Sequence, residues 1–122
     1  MTRPASAPLV TPTITYSAVA GKVIERLRDA RGLTQEQLGG ALGIGQSAYS
    51  RLEQGQTSMS LAQLHVIAEQ LNTTPGSLLH EADTLTRRLL AQGVQVKNEK
   101  EIPTAAILVG LGILAALLAA GK

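Results

Sequence analysis

From residue 16 to about residue 90 the chain is a series of short apolar-periodic segments, opened by hydroxyl residues or closed by glycines. Helices below about 12–15 residues are marginal alone in water, so such segments hold only by packing on one another. Val19, Val23, Ile24 and Leu27 recur at helical spacing between Ser17 and Arg31, and Gly32 supplies the stop. Thr34 followed by Gln37 is a capping-box start for a second helix, with Leu38 and Leu42 inward and Gly43 at its end. A third runs from Gln46 to Gln54, with Tyr49 and Leu52 inward and Gly55 behind it. Ser60 caps a fourth, whose stripe is Leu61, Leu64, Ile67, Ala68 and Leu71. Thr74 and Pro75 open a fifth, and its period continues through Leu85 and Leu89 to about Gln92.

Composition points the same way. Phe and Trp are absent and Tyr16 and Tyr49 are the only aromatics, so the core is left to Leu, Ile, Val and Ala, which favours helices over sheets. Without cysteine there is neither a disulfide framework nor a thiolate metal site. His65 and His80 have no ligand-spaced cluster around them, so no metal is expected. No nucleophile–base pair and no phosphate loop is present, which argues against an enzyme and against a cofactor. Net charge is only +2, and residues 1–72 hold six basic against five acidic side chains. Bulk charge therefore gives little support for nucleic acid, and any such function rests on where particular side chains point. Residues 1–15 show no apolar period and are expected to be a disordered arm carrying Arg3; residues 81–101 are expected to be a helix extension and polar linker.

Two short helices flanking a tight glycine turn, Thr34–Leu42 and Gln46–Gln54, have helix-turn-helix dimensions. The residues from Leu33-Thr34-Gln35 through Leu42-Gly43-Ile44, Ser50-Arg51-Leu52-Glu53 and Gly55 to Pro75–Leu79 resemble the Cro and phage-repressor (Xre) family, over residues 23–79. The resemblance implies an all-α fold, a five-helix lambda-repressor-like domain over residues 16–80, with double-stranded DNA as partner. It also implies that the helix from Gln46 docks in a major groove. Gln46, Ser47, Ser50 and Arg51 lie opposite Tyr49 and Leu52, where they would meet base edges. Gln35 matches the family position that bonds a backbone phosphate, and Arg28 and Glu53 match an internal ion pair. Gly39-Gly40 and Gly45 depart from the family pattern and predict a soft second helix and a weakly capped third.

From Ile102 to Gly121 the chain is uncharged for twenty residues, about 30 Å as a helix, the thickness of a bilayer core. No polar face is visible, so the run is expected to be a single C-terminal transmembrane helix. Ala106, Gly110, Gly112, Ala116 and Ala120 would let such helices pack closely in lipid. Arg87, Arg88, Lys97 and Lys100 precede it, which places the preceding domain on the cytoplasmic side of an inner membrane. The expectation is a dimeric, membrane-tethered, sequence-specific DNA-binding regulator. The alternatives are a membrane scaffold whose domain binds a protein partner, and a cytoplasmic antitoxin or repressor with an oligomerising tail.

Overall fold

The computed structural model describes residues 10–98 and 103–120. The elements in chain order are β1 (Thr13–Thr15), α1 (Tyr16–Ala30), α2 (Gln35–Leu42), α3 (Gln46–Glu53), α4 (Leu61–Gln70), α5 (Pro75–Ala91), β2 (Gln95–Lys97) and α6 (Thr104–Ala120). Hydroxyl caps set most of the helix starts. Thr15, Thr34, Ser60 and Thr74 each accept a hydrogen bond from the backbone N–H three residues on, and Thr34 and Ser60 form full capping boxes with Gln37 and Gln63. Each cap satisfies a donor that the first turn would otherwise leave unpaired.

Helices α1 to α5 bury one contiguous core of Val19, Val23, Ile24, Leu38, Ile67, Leu71, Leu78 and Ala82 around Tyr49, which is fully enclosed. Tyr16 ties the start of α1 to α5 by donating its hydroxyl to Asp83 at 2.7 Å. Gly55 makes the turn after α3 with φ of +75°, and a methyl placed on it would lie 2.5 Å from Ala18 N. Only glycine meets both conditions, so the end of α3 sits directly on the first turn of α1.

The fold departs from the all-α expectation. β1 and β2 form a parallel two-stranded sheet, with Ile14 opposite Val96 and Thr13 opposite Gln95. Residues expected to belong to a disordered arm and a linker thus pair across the whole helical domain. Residues 1–9 of that arm and 99–101 of the linker lie outside the described residues. Ile14 and Val94 are almost fully buried, and β-branched Thr-Ile-Thr suits a strand covered on one side.

The transmembrane expectation is overturned. Among the described residues no helix is long and apolar enough to cross a membrane. One side of α6 is buried in the protein's own fold. Ala106 and Leu114 are enclosed, Gly110 lies against the Thr13 backbone, and Arg88 Nη2 donates to Leu117 O at 3.2 Å. The small residues expected to pack in lipid therefore divide: Ala106 and Gly110 face inward, whereas Gly112, Ala116 and Ala120 are exposed. Ile102 and Gly121, the ends of the expected run, lie outside the described residues.

Candidate nucleic-acid interface

α2 and α3 meet at a turn in which Gly43 takes φ of +72° and Ile44 N–H returns to Gly39 O at 2.9 Å. This C-terminal closure satisfies carbonyls at the end of α2. Gly39 has a packing role that its helix propensity hides. A methyl there would lie 3.0 Å from Ile44 O and 3.3 Å from Tyr49 Cβ, so a side chain would press on the turn and on α3. Gly40 has open space beside it, and Gly45 caps α3 without a side-chain hydrogen bond.

The inner side of α3 is filled by Tyr49, Leu52 and Glu53. Its outer side presents Gln46, Ser47 and Arg51 to solvent, with Ser50 half-buried and accepting a hydrogen bond from Gln54 Nε2 at 3.3 Å. The four side chains expected to meet bases therefore lie on one helix, and Gln35, expected to meet a phosphate, is the first residue of the helix beside it. Gln35 Oε1 accepts from Gln46 Nε2 at 2.7 Å, which joins the two helices at the solvent edge.

Behind this edge lies a buried carboxylate. Glu53 is 4% exposed and accepts four hydrogen bonds: Arg28 Nε at 2.8 Å, Arg28 Nη2 at 2.9 Å, the Tyr49 hydroxyl at 2.7 Å and Gln35 Nε2 at 3.1 Å. Arg28 is itself 8% exposed and uses Nη1 on Leu33 O at 2.9 Å and on Asp29. Burial alone would push the Glu53 carboxyl up, but hydrogen bonds from Arg28, Gln35 and Tyr49 outweigh it and hold it below the ordinary carboxylate range. The hydrogen bond to Glu53 raises Arg28, and burial raises Tyr49, further strengthened by the same carboxylate. The ion pair is thus set inside a network that continues through Gln35 to Gln46.

Resemblance to a phosphate contact does not reveal the placement of Gln35. It is half-buried and bridges the Glu53 carboxylate and the Gln46 amide. The apolar period marks Tyr49 only as a core residue, although its spacing of four from Glu53 puts the two on one helix face. Elsewhere, His65 Nδ1 stands 3.8 Å from Glu69 with both side chains exposed, and the described residues contain no group of three or more metal-ligating side chains.

Residues 20–82, just over half of the chain, match the family described as a helix-turn-helix domain. The chain belongs to that family. In this helix-turn-helix protein, β1, the second half of α5, β2 and α6 lie outside the matched segment. Two crystal structures of the clp gene regulator ClgR from Corynebacterium glutamicum are similar, each at 23% identity. One has a TM-score of 0.60, covering 63% of this chain and 82% of that chain. The other has a TM-score of 0.53, covering 64% and 94%. At this identity the likeness is one of fold. No curated protein matches the helix-turn-helix chain.

Proposed function

We propose that the protein is a transcription regulator that binds double-stranded DNA in a sequence-dependent way, with α3 in the major groove and two copies on two half-sites. The observation that carries this reading is the Gln46–Gln35 hydrogen bond at the exposed start of α3. Gln46 spends one amide hydrogen on Gln35 and keeps its second N–H and its Oε1, the donor and acceptor that match adenine N7 and N6. Fixing the amide before binding removes about 0.5–1.5 kcal/mol of ordering cost per immobilised side chain. Arg51 offers a fork for guanine O6 and N7, while Ser47 and Ser50 supply short hydroxyls. Gln35 retains one N–H beyond its bond to Glu53, and with the free amides of the first turn of α2 it is suited to a phosphate. Two copies follow from the few base pairs that one such helix can read.

The test is selection of duplexes from a random library by the full chain, followed by fluorescence anisotropy on selected and scrambled sequences across a salt series. Gln46→Ala and Arg51→Ala are expected to flatten discrimination at separate base positions and leave the fold intact. The proposal fails if the chain selects no sequence, or if both variants keep the full preference.

A further inference from the structure

We infer that the cleft enclosed by α6, β1, α1 and the turn after α3 binds a small zwitterion with an apolar body, a free apolar amino acid, and that its occupancy weakens recognition of DNA by α3. The site stands on its own geometry; its effect on DNA rests on the reading proposed above.

The cleft has a volume of about 460 Å³, within the roughly 300–1,000 Å³ of small-molecule sites. It lies at a seam. Ile14 of β1 and Ile107 and Leu111 of α6 fall outside the segment matched to the helix-turn-helix family, whereas Lys22, Glu25 and the turn after α3 fall inside it. Ile107 and Leu111 stay half-buried, so the added helix leaves apolar surface open toward the domain instead of closing on it. With Ile14 and Ala18 they make up the apolar lining, and Lys22, Glu25, Gln54 and Gln56 are polar groups free to meet a ligand. Thr15 and Glu53 also line the cleft, but Thr15 Oγ1 caps α1 and the Glu53 carboxylate is held by Arg28, Tyr49 and Gln35.

The charges set the ligand class. Ala18, Lys22 and Glu25 share one face of α1, and Lys22 Nζ lies 2.7 Å from Glu25 Oε1 with side chains 37% and 35% exposed. An ion pair so exposed contributes little to the fold and opens readily. A bound monoanion would pair with Lys22 and crowd Glu25, and a monocation would do the reverse. A zwitterion gives Lys22 a carboxylate and Glu25 an ammonium, so every charge keeps a partner. An apolar side chain on the same molecule then covers the surface that Ile107 and Leu111 leave open.

The opposite wall is tied to the reading helix. Gln56 Nε2 donates to Gln54 Oε1 at 2.8 Å, Gln54 Nε2 donates to Ser50 Oγ at 3.3 Å, and the Gln56 N–H returns to Arg51 O at 2.9 Å. Ser50 and Arg51 are two of the side chains proposed to meet base edges. A ligand carboxylate offers the two glutamine amides a charged acceptor, stronger than a hydroxyl or an amide oxygen. Drawing Gln54 off Ser50 frees that hydroxyl to rotate, and ordering it again on DNA lowers affinity. By linkage, the duplex lowers affinity for the ligand by the same factor.

The probe is L-leucine, titrated into the full chain without DNA and followed by calorimetry. Saturable binding below about 1 mM is expected, about tenfold or more tighter than 4-methylpentanoate or 3-methylbutylamine, which carry the same apolar body with a single charge. Lys22→Met, Glu25→Gln and Leu111→Phe are each expected to lower leucine affinity about tenfold, with thermal melting as the control for folding. No saturable binding, equal binding of the three probes, or unchanged leucine affinity in Lys22→Met and Leu111→Phe would overturn the site. In anisotropy on the selected duplex, saturating leucine is expected to weaken binding about fivefold, and Gln54→Ala to remove that effect. A duplex affinity indifferent to leucine would overturn the regulation. Duplex selection is measured without leucine, so a chain that binds leucine and selects no sequence fails the DNA reading and upholds the site.

Discussion

Gln35 stands between the buried carboxylate of Glu53 and the exposed amide of Gln46, donating to the first at 3.1 Å and accepting from the second at 2.7 Å. One half-buried side chain thereby connects the interior ion pair to the surface proposed to read DNA.

Replacing Gln35 with Ala should weaken specific DNA binding even where Gln35 makes no base contact, because Gln46 loses its support. A double-mutant cycle between Gln35→Ala and Gln46→Ala, read by anisotropy on the selected duplex, is expected to show a coupling of about 0.5–3 kcal/mol. Strict additivity would mean that the hydrogen bond does not matter in the complex.

Glu53→Ala leaves the Arg28 guanidinium buried without its partner, and breaking such a pair costs about 3–5 kcal/mol. Urea denaturation should show that loss for either single variant, and a smaller loss for Arg28→Ala with Glu53→Ala than the sum of the two.

The same carboxylate gives the fold an acid dependence. Its folded pKa is lowered from an ordinary value of 4.5, so its contribution is complete well above that value and is lost as pH falls through the lower, folded one. The stability gap between the wild type and Glu53→Gln should be flat above about pH 5.5 and should shrink on acidification below that point. A gap independent of pH would assign the network no role in acid sensitivity.

Gly110→Val puts side-chain atoms where a methyl already lies 2.5 Å from Thr13 O. α6 must lift from β1, at a cost of about 1–3 kcal/mol. Amide exchange over Thr104–Ala120 should speed up in this variant while α2 and α3 keep their protection. Unchanged exchange would show that α6 is seated by other contacts.

The five helices of the domain are readable in the sequence because each carries its own period and most carry a cap, signals that lie within a few residues of one another. The sheet is not. Thr13–Thr15 contains one alternation, and its partner Gln95–Lys97 lies some eighty residues away, so nothing local announces the pairing. The helical character of α6 is readable but its surroundings are not. An uncharged helix has no polar face to mark the side that meets solvent, and the same residues suit lipid or a protein surface. Within the site, Arg28 and Glu53 come from resemblance alone. The bridge through Gln35 depends on how α2 crosses α3, a geometry set partly by Gly39, which reads in sequence as a weakness.

Thr15 is both the last residue of β1 and the cap of α1, with no spare residue between strand and helix. α6 rests on that strand through Gly110, and α1 touches the end of α3 through Gly21 on the Glu53 carbonyl and Ala18 on Gly55. From α6 to α3 the parts therefore abut main chain on main chain, with little side-chain slack to absorb a shift. A push on the C-terminal helix would travel through rigid backbone to the far end of the molecule, so a change at one edge of this small domain is felt at the other.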